Sequence, residues 1–580
     1  MSSTVLLWLA RLGAVGLAGG LGYLLVRRKE PGPGRFLGWL LFTLPFGSGG
    51  YYTVFWALTG LAGLIFLGVW GRKHPLRLRL GLGSLGVLAA VALYCLSTIW
   101  AADRGSAAFA IARAPALGIL ALVLMQMDGE TQRSSLSLIP FSGAVMTLAA
   151  IPLSFVPAVS RMVSWRGRLC GSFEYANSFA LFLLLGIILS GTEEKRGKWR
   201  WGLDMILMLG ILLSGSRTTF LLLGLCLICL CVSRRKPRFF LEMAGSLGAA
   251  LLLSGLYNLG TEAASAAGRV LSTSTGDSSF LTRLLYWKDA VPVVLRHPFG
   301  LGYQGYRAVQ GSIQHGVYHV SYVHNEVLQL ALDIGWIPVI LLIAALARGF
   351  FRRGAGLWKR LMIPVFAVHC MMDFDLQFLS LWLVLLCLME VDRGREAELP
   401  RLPVSVVCGL FVIAGLYLGA GDTLYYLGYP ESALILTPFH TQALTAMLAQ
   451  QDEAEPMEDY ADRILRLDPY SDLAYTAKAK VAQARGDIAA MMGYSRKALA
   501  NAPYDLTGYQ EYFDKLWDAY TEYDRMGDRN SAEICRQELL GIPERLTEVK
   551  RRSDPLAFRI QHRPELELGE AYRGRLRRLE

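Results

Sequence analysis

Apolar residues dominate 1–421 in long runs broken by short polar segments, whereas 430–580 reads as ordinary soluble protein. About 20 apolar residues are needed to cross roughly 30 Å of hydrocarbon. By that measure membrane helices are predicted near 4–26, 36–48, 51–70, 81–100, 106–127, 135–157, 176–191, 199–214, 218–233 and 239–258. A long polar interval follows, and then 325–347, 359–373, 376–391 and 402–421. The run 36–48 is short and Gly47, Gly49 and Gly50 follow it, so it is expected as a half-helix or re-entrant segment. The predicted fold is all-α, with about 12–14 transmembrane helices in a polytopic bundle over 1–425 and a soluble α-helical repeat domain after it.

Charge supports the same division. Only 18% of residues are charged and 53% are hydrophobic, with a mean hydropathy of +0.36; a soluble protein carries roughly a quarter charged residues. The net charge of +11 sits largely in clusters between apolar runs, such as Arg27–Lys29 and Arg234–Lys236. That is the pattern of cytoplasmic loops rather than of a nucleic-acid-binding face, and no nucleic-acid partner is expected. If the spans alternate, 27–29, 72–79, 193–200, 234–238, 348–360 and 392–401 fall on one side. The opposite side receives 101–105, 158–175, the 214–217 turn, 259–324 and the C-terminal region. One basic cluster breaks the rule, Arg161, Arg166 and Arg168 on the outer side, and it implies a bound anion there. Arg27 and Arg28 follow the first run, the reverse of a cleavable signal's order, so an uncleaved first helix is expected. The nine cysteines lie mostly inside apolar runs, which predicts neither a disulfide framework nor a metal site.

The outer interval 259–324 holds four of the chain's eight histidines together with the stretch HPFGLGYQGY at 297–306. Long loops of this kind usually carry function. Further on, Asp468-Pro469-Tyr470 recurs as Ala502-Pro503-Tyr504, 34 residues apart, with Gly486, Ala489, Tyr494 and Ala498 between. A 34-residue period of that kind predicts tetratricopeptide-like helical repeats over 430–550, with 551–580 left as a basic C-terminal tail. The repeats are expected to offer a concave surface to a protein partner or to a glycan.

No P-loop, dinucleotide fingerprint, HExxH or GxSxG occurs where a matching structure could form. Asp373-Phe374-Asp375 has the letters of a metal-binding carboxylate pair but lies at an outer helix end, which argues against a cytoplasmic nucleotide-sugar donor. Three outer stretches remain: RGRLCGSFEYANSFA at 166–180, LLSGSRTTFLLLG at 212–224, and the blocks between Arg283 and Gly335. In order, they resemble the signature blocks of the O-antigen ligase and polymerase family. The matching residues are Arg168, Gly171, Ser172, Phe173 and Asn177; then Ser216-Arg217; then Arg283 and Trp287; then Pro298, Gly300 and Gly302; then His324-Asn325, and last His369 and Asp373.

The resemblance implies a membrane glycosyltransferase of GT-C-like fold, sited in a bacterial cytoplasmic membrane with its active site and repeats on the extracytoplasmic side. It implies an undecaprenyl-diphosphate-linked glycan as donor, held by Arg168, Arg217 and Arg283. Arginine suits diphosphate because its planar fork stays charged. His324 is implied as the base that takes the acceptor's proton, and Asn177, Trp287, Asn325, His369 and Asp373 as supporting residues. Neither metal nor cofactor is expected, and a single displacement would invert the anomeric carbon. The acceptor, whether glycan, lipid or protein, separates ligase from polymerase and from protein O-oligosaccharyltransferase. A transporter of lipid-linked glycans or a membrane-anchored scaffold are the other classes, but neither accounts for arginines gathered at one face. His315 and His319 have no place in the pattern and are expected at the surface, while Trp287 and Tyr303 are expected to pack rather than to stack on sugar.

Overall fold

The structure is a computed structural model that describes residues 3–194, 197–259, 278–560 and 566–579. Of the outer interval, 260–277 lie outside the described residues, as do Lys195 and Arg196 and, near the C-terminus, 561–565 and 580. The chain divides into two compact units, one of residues 1–96, 109–273 and 324–428, the other of 97–108, 274–323 and 429–580. The interval around 274–323 therefore groups with the C-terminal region.

The first unit is a bundle of apolar helices. Eight helices among the described residues are long and apolar enough to cross a membrane, from Thr4–Val26 to Arg401–Tyr426, and Ala176–Gly191, Trp336–Phe351 and Leu379–Leu388 are shorter apolar helices. Their outward faces are greasy: Arg217–Arg234 exposes Leu221, Leu225, Ile228 and Val232, a stripe at helical spacing. In water such a stripe would be costly, and against lipid it is the expected surface. Ala176–Gly191, by contrast, is buried almost throughout and forms the centre of the bundle.

Several predicted runs are broken rather than continuous. The run 325–347 is two helices, Glu326–Ile334 and Trp336–Phe351, because Gly335 takes a φ of 80° and ends the first. The run 376–391 opens with a 3-10 turn, Asp375–Gln377, before Leu379–Leu388. The run 36–48 is an 11-residue helix, Pro33–Thr43, followed by the 3-10 turns Leu44–Phe46 and Ser48–Gly50. Gly49 and Gly50 both have positive φ, and a Cβ on Gly49 would lie 2.5 Å from the Phe173 ring and 2.8 Å from that of Phe378. Only glycine permits both the conformation and that approach.

The basic loops expected on one side meet at one end of this bundle. Leu76–Leu80 pairs antiparallel with Arg395–Leu399, from Leu76 opposite Leu399 to Leu80 opposite Arg395, a ribbon that the all-α reading did not anticipate. Arg79 donates to Met127 O and Asp392 O, both at 3.0 Å. Arg352 and Lys359 share Glu390 at 2.9 and 2.7 Å. These loops gather their own carboxylates and carbonyls, so the positive charge is pinned at that end.

The second unit is helical. Ser278–Arg296 and Gly305–Ile313 belong to it, with paired helices from Pro430–Leu436 onward. Asp472–Ala484 and Ile488–Asn501 form a hairpin between the two Pro-Tyr turns, and side chains of Ser471 and Asp487 cap their N-termini. Small residues at the crossings, such as Ala474, Ala479 and Ala482, let the helices pack closely. The next helices, Leu506–Met526 and Arg529–Arg552, run to 21 and 24 residues and outgrow the 34-residue period. The expected tail is instead folded: Leu566, Leu568, Leu576 and Leu579 are buried in the core with Phe513 and Leu539, and Arg575 meets Asp514 at 2.8 Å. Its basic residues mask four leucines that the core takes up.

Candidate active site

At the end of the first unit away from the basic loops, four turns converge. The first runs from a short hairpin, Ser164–Trp165 against Arg168–Leu169, whose turn residues Arg166 and Gly167 both have positive φ. That is the backbone a two-residue hairpin needs. A 3-10 turn, Gly171–Phe173, follows, and then left-handed Glu174 and extended Tyr175 lead into the helix Ala176–Gly191. The second turn is Gly215-Ser216, which closes Arg200–Ser214 and opens Arg217–Arg234. The third is His324-Asn325, where His324 has a φ of 52° and Asn325 caps Glu326–Ile334 by accepting from Leu328 N at 3.1 Å. The fourth is Asp373-Phe374-Asp375, after the helix Leu357–Cys370.

Asp373 is the hub. Its buried carboxylate accepts from the Tyr175 hydroxyl and from Asn177 Nδ2, both at 2.6 Å, and from Phe374 N at 3.1 Å. His324 Nδ1 lies 3.2 Å from the same carboxylate. Against an ionised carboxylate this nitrogen must carry the proton, which leaves Nε2 as the basic nitrogen of the ring. Asn177 then links the hub to Arg168, its Oδ1 accepting from Arg168 Nη2. Arg168 Nε also donates to Ser214 O at 2.8 Å, at the C-terminal end of Arg200–Ser214 where a cation is favoured. The imidazole is 22% exposed and the Asp373 carboxylate only 3%, so the acid orients the ring while the ring faces outward.

A second, fully buried network lies beside the first. His369 Nδ1 is 2.6 Å from Asp375 and its Nε2 3.1 Å from the Thr219 hydroxyl, which in turn meets Ser216 Oγ at 2.9 Å. Ser178 donates to Asp375 at 2.7 Å, and Glu326 accepts from Leu376 N at 2.6 Å. This network sets the first turn of Arg217–Arg234 and so fixes where Arg217 starts. Within the His369…Asp373 block, the side chain of His369 meets Asp375 and that of Asp373 meets His324.

Arg168, Asn177, His324 and Asp373 are thus brought together, and His369 and Asn325 support them from behind. Arg283 and Trp287 belong to the second unit, where Trp287 Nε1 donates to Val323 O at 3.2 Å. The glycine block is likewise structural in that unit. Gly302 has a φ of 82° and its Cβ would lie 2.5 Å from that of Ala101, beside a bond from Ala102 N to Leu301 O of 2.9 Å. His315, expected as a plain surface residue, holds Asp289 through its backbone N at 3.0 Å and Nδ1 at 2.7 Å.

Sequence reasoning passed over Tyr175 and Glu174, and it weighed Asp375 only as half of a metal-binding pair. Tyr175 stands between Phe173 and Asn177 in a block already singled out, but its aromatic ring reads as packing. Glu174 is held by Arg11, a residue of the first membrane helix, through Nε and Nη2 at 2.7 and 2.8 Å. Ser48 Oγ adds 2.7 Å and the Tyr52 hydroxyl 3.4 Å, which ties the segment after the helix Pro33–Thr43 to the same turn.

Residues 202–343 match the family model described as O-antigen ligase. Over that stretch, about a quarter of its length, the chain is similar to the O-antigen ligase family. Its matched residues include Ser216, Arg217, Arg283 and the His324-Asn325 pair. Arg168, Asn177 and Asp373 lie outside them, yet all three join His324 in one network. That similarity, in a chain with helices long and apolar enough to cross a membrane, implies activity broadly of glycosyltransferase type. No curated protein and no solved structure matches the chain.

Proposed function

We propose that this protein is a membrane glycosyltransferase that moves a glycan from undecaprenyl diphosphate to a hydroxyl acceptor on the extracytoplasmic face. The observation that carries the reading is the shared hub: a histidine base and an arginine anion site are built on the single carboxylate of Asp373. In this mechanism His324 Nε2 takes the acceptor's proton as its oxygen attacks the anomeric carbon. The new C–O bond forms while the bond from that carbon to the diphosphate breaks, which inverts the centre. The lipid diphosphate leaves as an anion, with Arg168 and Arg217 neutralising the charge that develops. Arg283 is assigned to the same diphosphate by family resemblance. Proton transfer of this kind contributes roughly 10²–10⁴-fold to a rate. The basic loops pinned at the opposite end of the bundle favour an outward-facing site. The C-terminal helices, read as tetratricopeptide-like repeats, would then face outward as well.

The test is glycan transfer in proteoliposomes supplied with lipid-linked glycan from the source cell. Wild type should consume the donor, and His324→Ala and Arg217→Ala should not, while all three remain folded. The product then shows whether glycan, lipid or protein is the acceptor. Equal turnover in both variants would overturn the site. Movement of intact lipid-linked glycan across the bilayer without transfer would replace the enzyme with a transporter.

A further inference from the structure

The second unit contains a groove of about 1460 Å³. One wall is the helix Ser278–Arg296 with the end of Gly305–Ile313, and the other is formed by Ile488–Asn501, Leu506–Met526 and Arg529–Arg552. Pockets for drug-sized ligands run to roughly 300–1,000 Å³. This groove is larger, which suits an oligomer.

Its chemistry is that of a carbohydrate site. Planar polar groups line it, including Gln314, Glu544, Glu548 and several guanidinium forks, and these can address sugar hydroxyls that both donate and accept. Between them lie apolar surfaces at Pro292, Val293, Leu499 and Pro503, with the ring of Tyr504, against which the C–H faces of sugars can rest.

The charge is arranged for an acid. Arg496 and Arg545 share the single carboxylate of Glu538, and Arg551 and Arg552 share that of Glu548 at 2.7 and 2.6 Å. Each trio leaves one positive charge over. Arg296, exposed at the end of its helix, has no ion-pair or hydrogen-bond partner among the described residues. Three carboxylates line the groove: Asp289, held by His315 and by the Tyr318 hydroxyl at 2.7 Å, Glu548, and Glu544, which has no ion-pair partner among the described residues; Lys288 and the five arginines outnumber them. A neutral glycan would leave the surplus guanidinium charge unmet.

We propose that this groove binds several consecutive residues of an acidic glycan, one whose sugars carry carboxylates. The assignment rests on the reading of the chain as a glycan-handling enzyme. It places a grip on the polymer in the second unit, and none of the residues lining it is one assigned to the chemistry.

The full-length protein in detergent should bind a galacturonic acid hexamer in isothermal titration, and do so more weakly as salt rises. Arg296→Gln removes an unpartnered cation and disturbs no recorded contact, and it should weaken binding roughly tenfold, the size of one charge-assisted contact. Arg551→Gln should act in the same direction. Equal binding of maltohexaose would overturn the acidic preference. Inorganic polyphosphate binding as tightly as the hexamer would show a site that reads charge alone and overturn the glycan assignment. No binding of the hexamer at millimolar concentration, or no effect of either variant, would overturn the groove itself. The readout needs no turnover: a protein that transfers glycan but does not bind the hexamer rejects only the groove, and one that binds but does not transfer rejects only the reaction.

Discussion

Removing Arg11 should destabilise the bundle far more than an arginine at a membrane surface would. Its side chain is 9% exposed and that of Glu174 23%, with the two bidentate contacts already given. Its guanidinium also lies 5.0 Å from the Trp8 ring centre and 4.9 Å from that of Tyr52. Arg11→Leu leaves the carboxylate to Ser48 and Tyr52 alone. Breaking a buried pair from one side costs about 3–5 kcal/mol, and the two remaining hydroxyls and partial exposure of Glu174 point to the lower end, ~3 kcal/mol. Glu174→Gln strands the arginine and should cost about 2–3 kcal/mol, since two aromatic faces still receive it. The double variant removes both charges and should cost well under the sum of the two. The measurement is equilibrium unfolding of the full chain in mixed micelles, completing a double-mutant cycle. Strictly additive losses, or a loss below about 1 kcal/mol for Arg11→Leu, would refute the reasoning, because the pair would then be solvated and uncoupled. Arg11→Lys should recover only part of the loss, since an ammonium cannot supply the fork.

Asp373→Asn keeps the shape of the hub but sets an amide against donors on both sides; transfer should fall by roughly 10²–10⁴-fold, and unchanged turnover would remove Asp373 from the site. In the second unit, burial raises the Glu538 pKa but hydrogen bonds from Arg496, Tyr512 and Arg545 outweigh it and hold the carboxyl down to about 2. The stability this contributes, roughly 2–3 kcal/mol, is present above the ordinary glutamate value near 4.5 and is lost as pH falls towards 2. Glu538→Gln should therefore flatten the acid limb of a pH–unfolding curve, and an unaltered limb would count against the assignment. Burial and the Asp103 carboxylate push Asp468 the other way, up to about 7. The folded state then favours the protonated acid, so this group's contribution is best at low pH and declines as pH rises through 7. Asp468→Asn should gain on the order of 1–2 kcal/mol at pH 8, discounted because the residue is only half-buried, and no gain at pH 8 would show that Asp468 is solvated.

Most of the bundle was legible in the chain because hydrophobic length is a local property. The helices Ser3–Val26, Thr53–Trp70, Arg217–Arg234 and Arg401–Tyr426 lie where the apolar runs put them. Breaks were less legible. Gly335 interrupts the predicted run 325–347, and a glycine in an apolar stretch reads equally well as close packing. The Leu76–Leu80 ribbon escaped because its alternating leucines and arginines resemble a basic loop, and its partner lies more than 300 residues away. The leucines of the last residues were hidden by the arginines around them.

What the sequence determined by itself was the series of apolar helices, the basic loops between them, and the presence of Arg168, Asn177, His324 and Asp373 at helix ends. These follow from residue types within a window of a few turns. Which histidine meets which carboxylate was decided by tertiary structure alone. Asp373 and Asp375 are two residues apart, and a local reading joins either of them to the nearby His369. The backbone turn at Phe374 sends them to different partners, Asp373 to Tyr175, Asn177 and His324 and Asp375 to Ser178 and His369. Arg11 and Glu174, 163 residues apart, meet for the same reason. A charge buried among apolar helices must find its counter-charge wherever the packing brings one, and that distance is written in no local pattern.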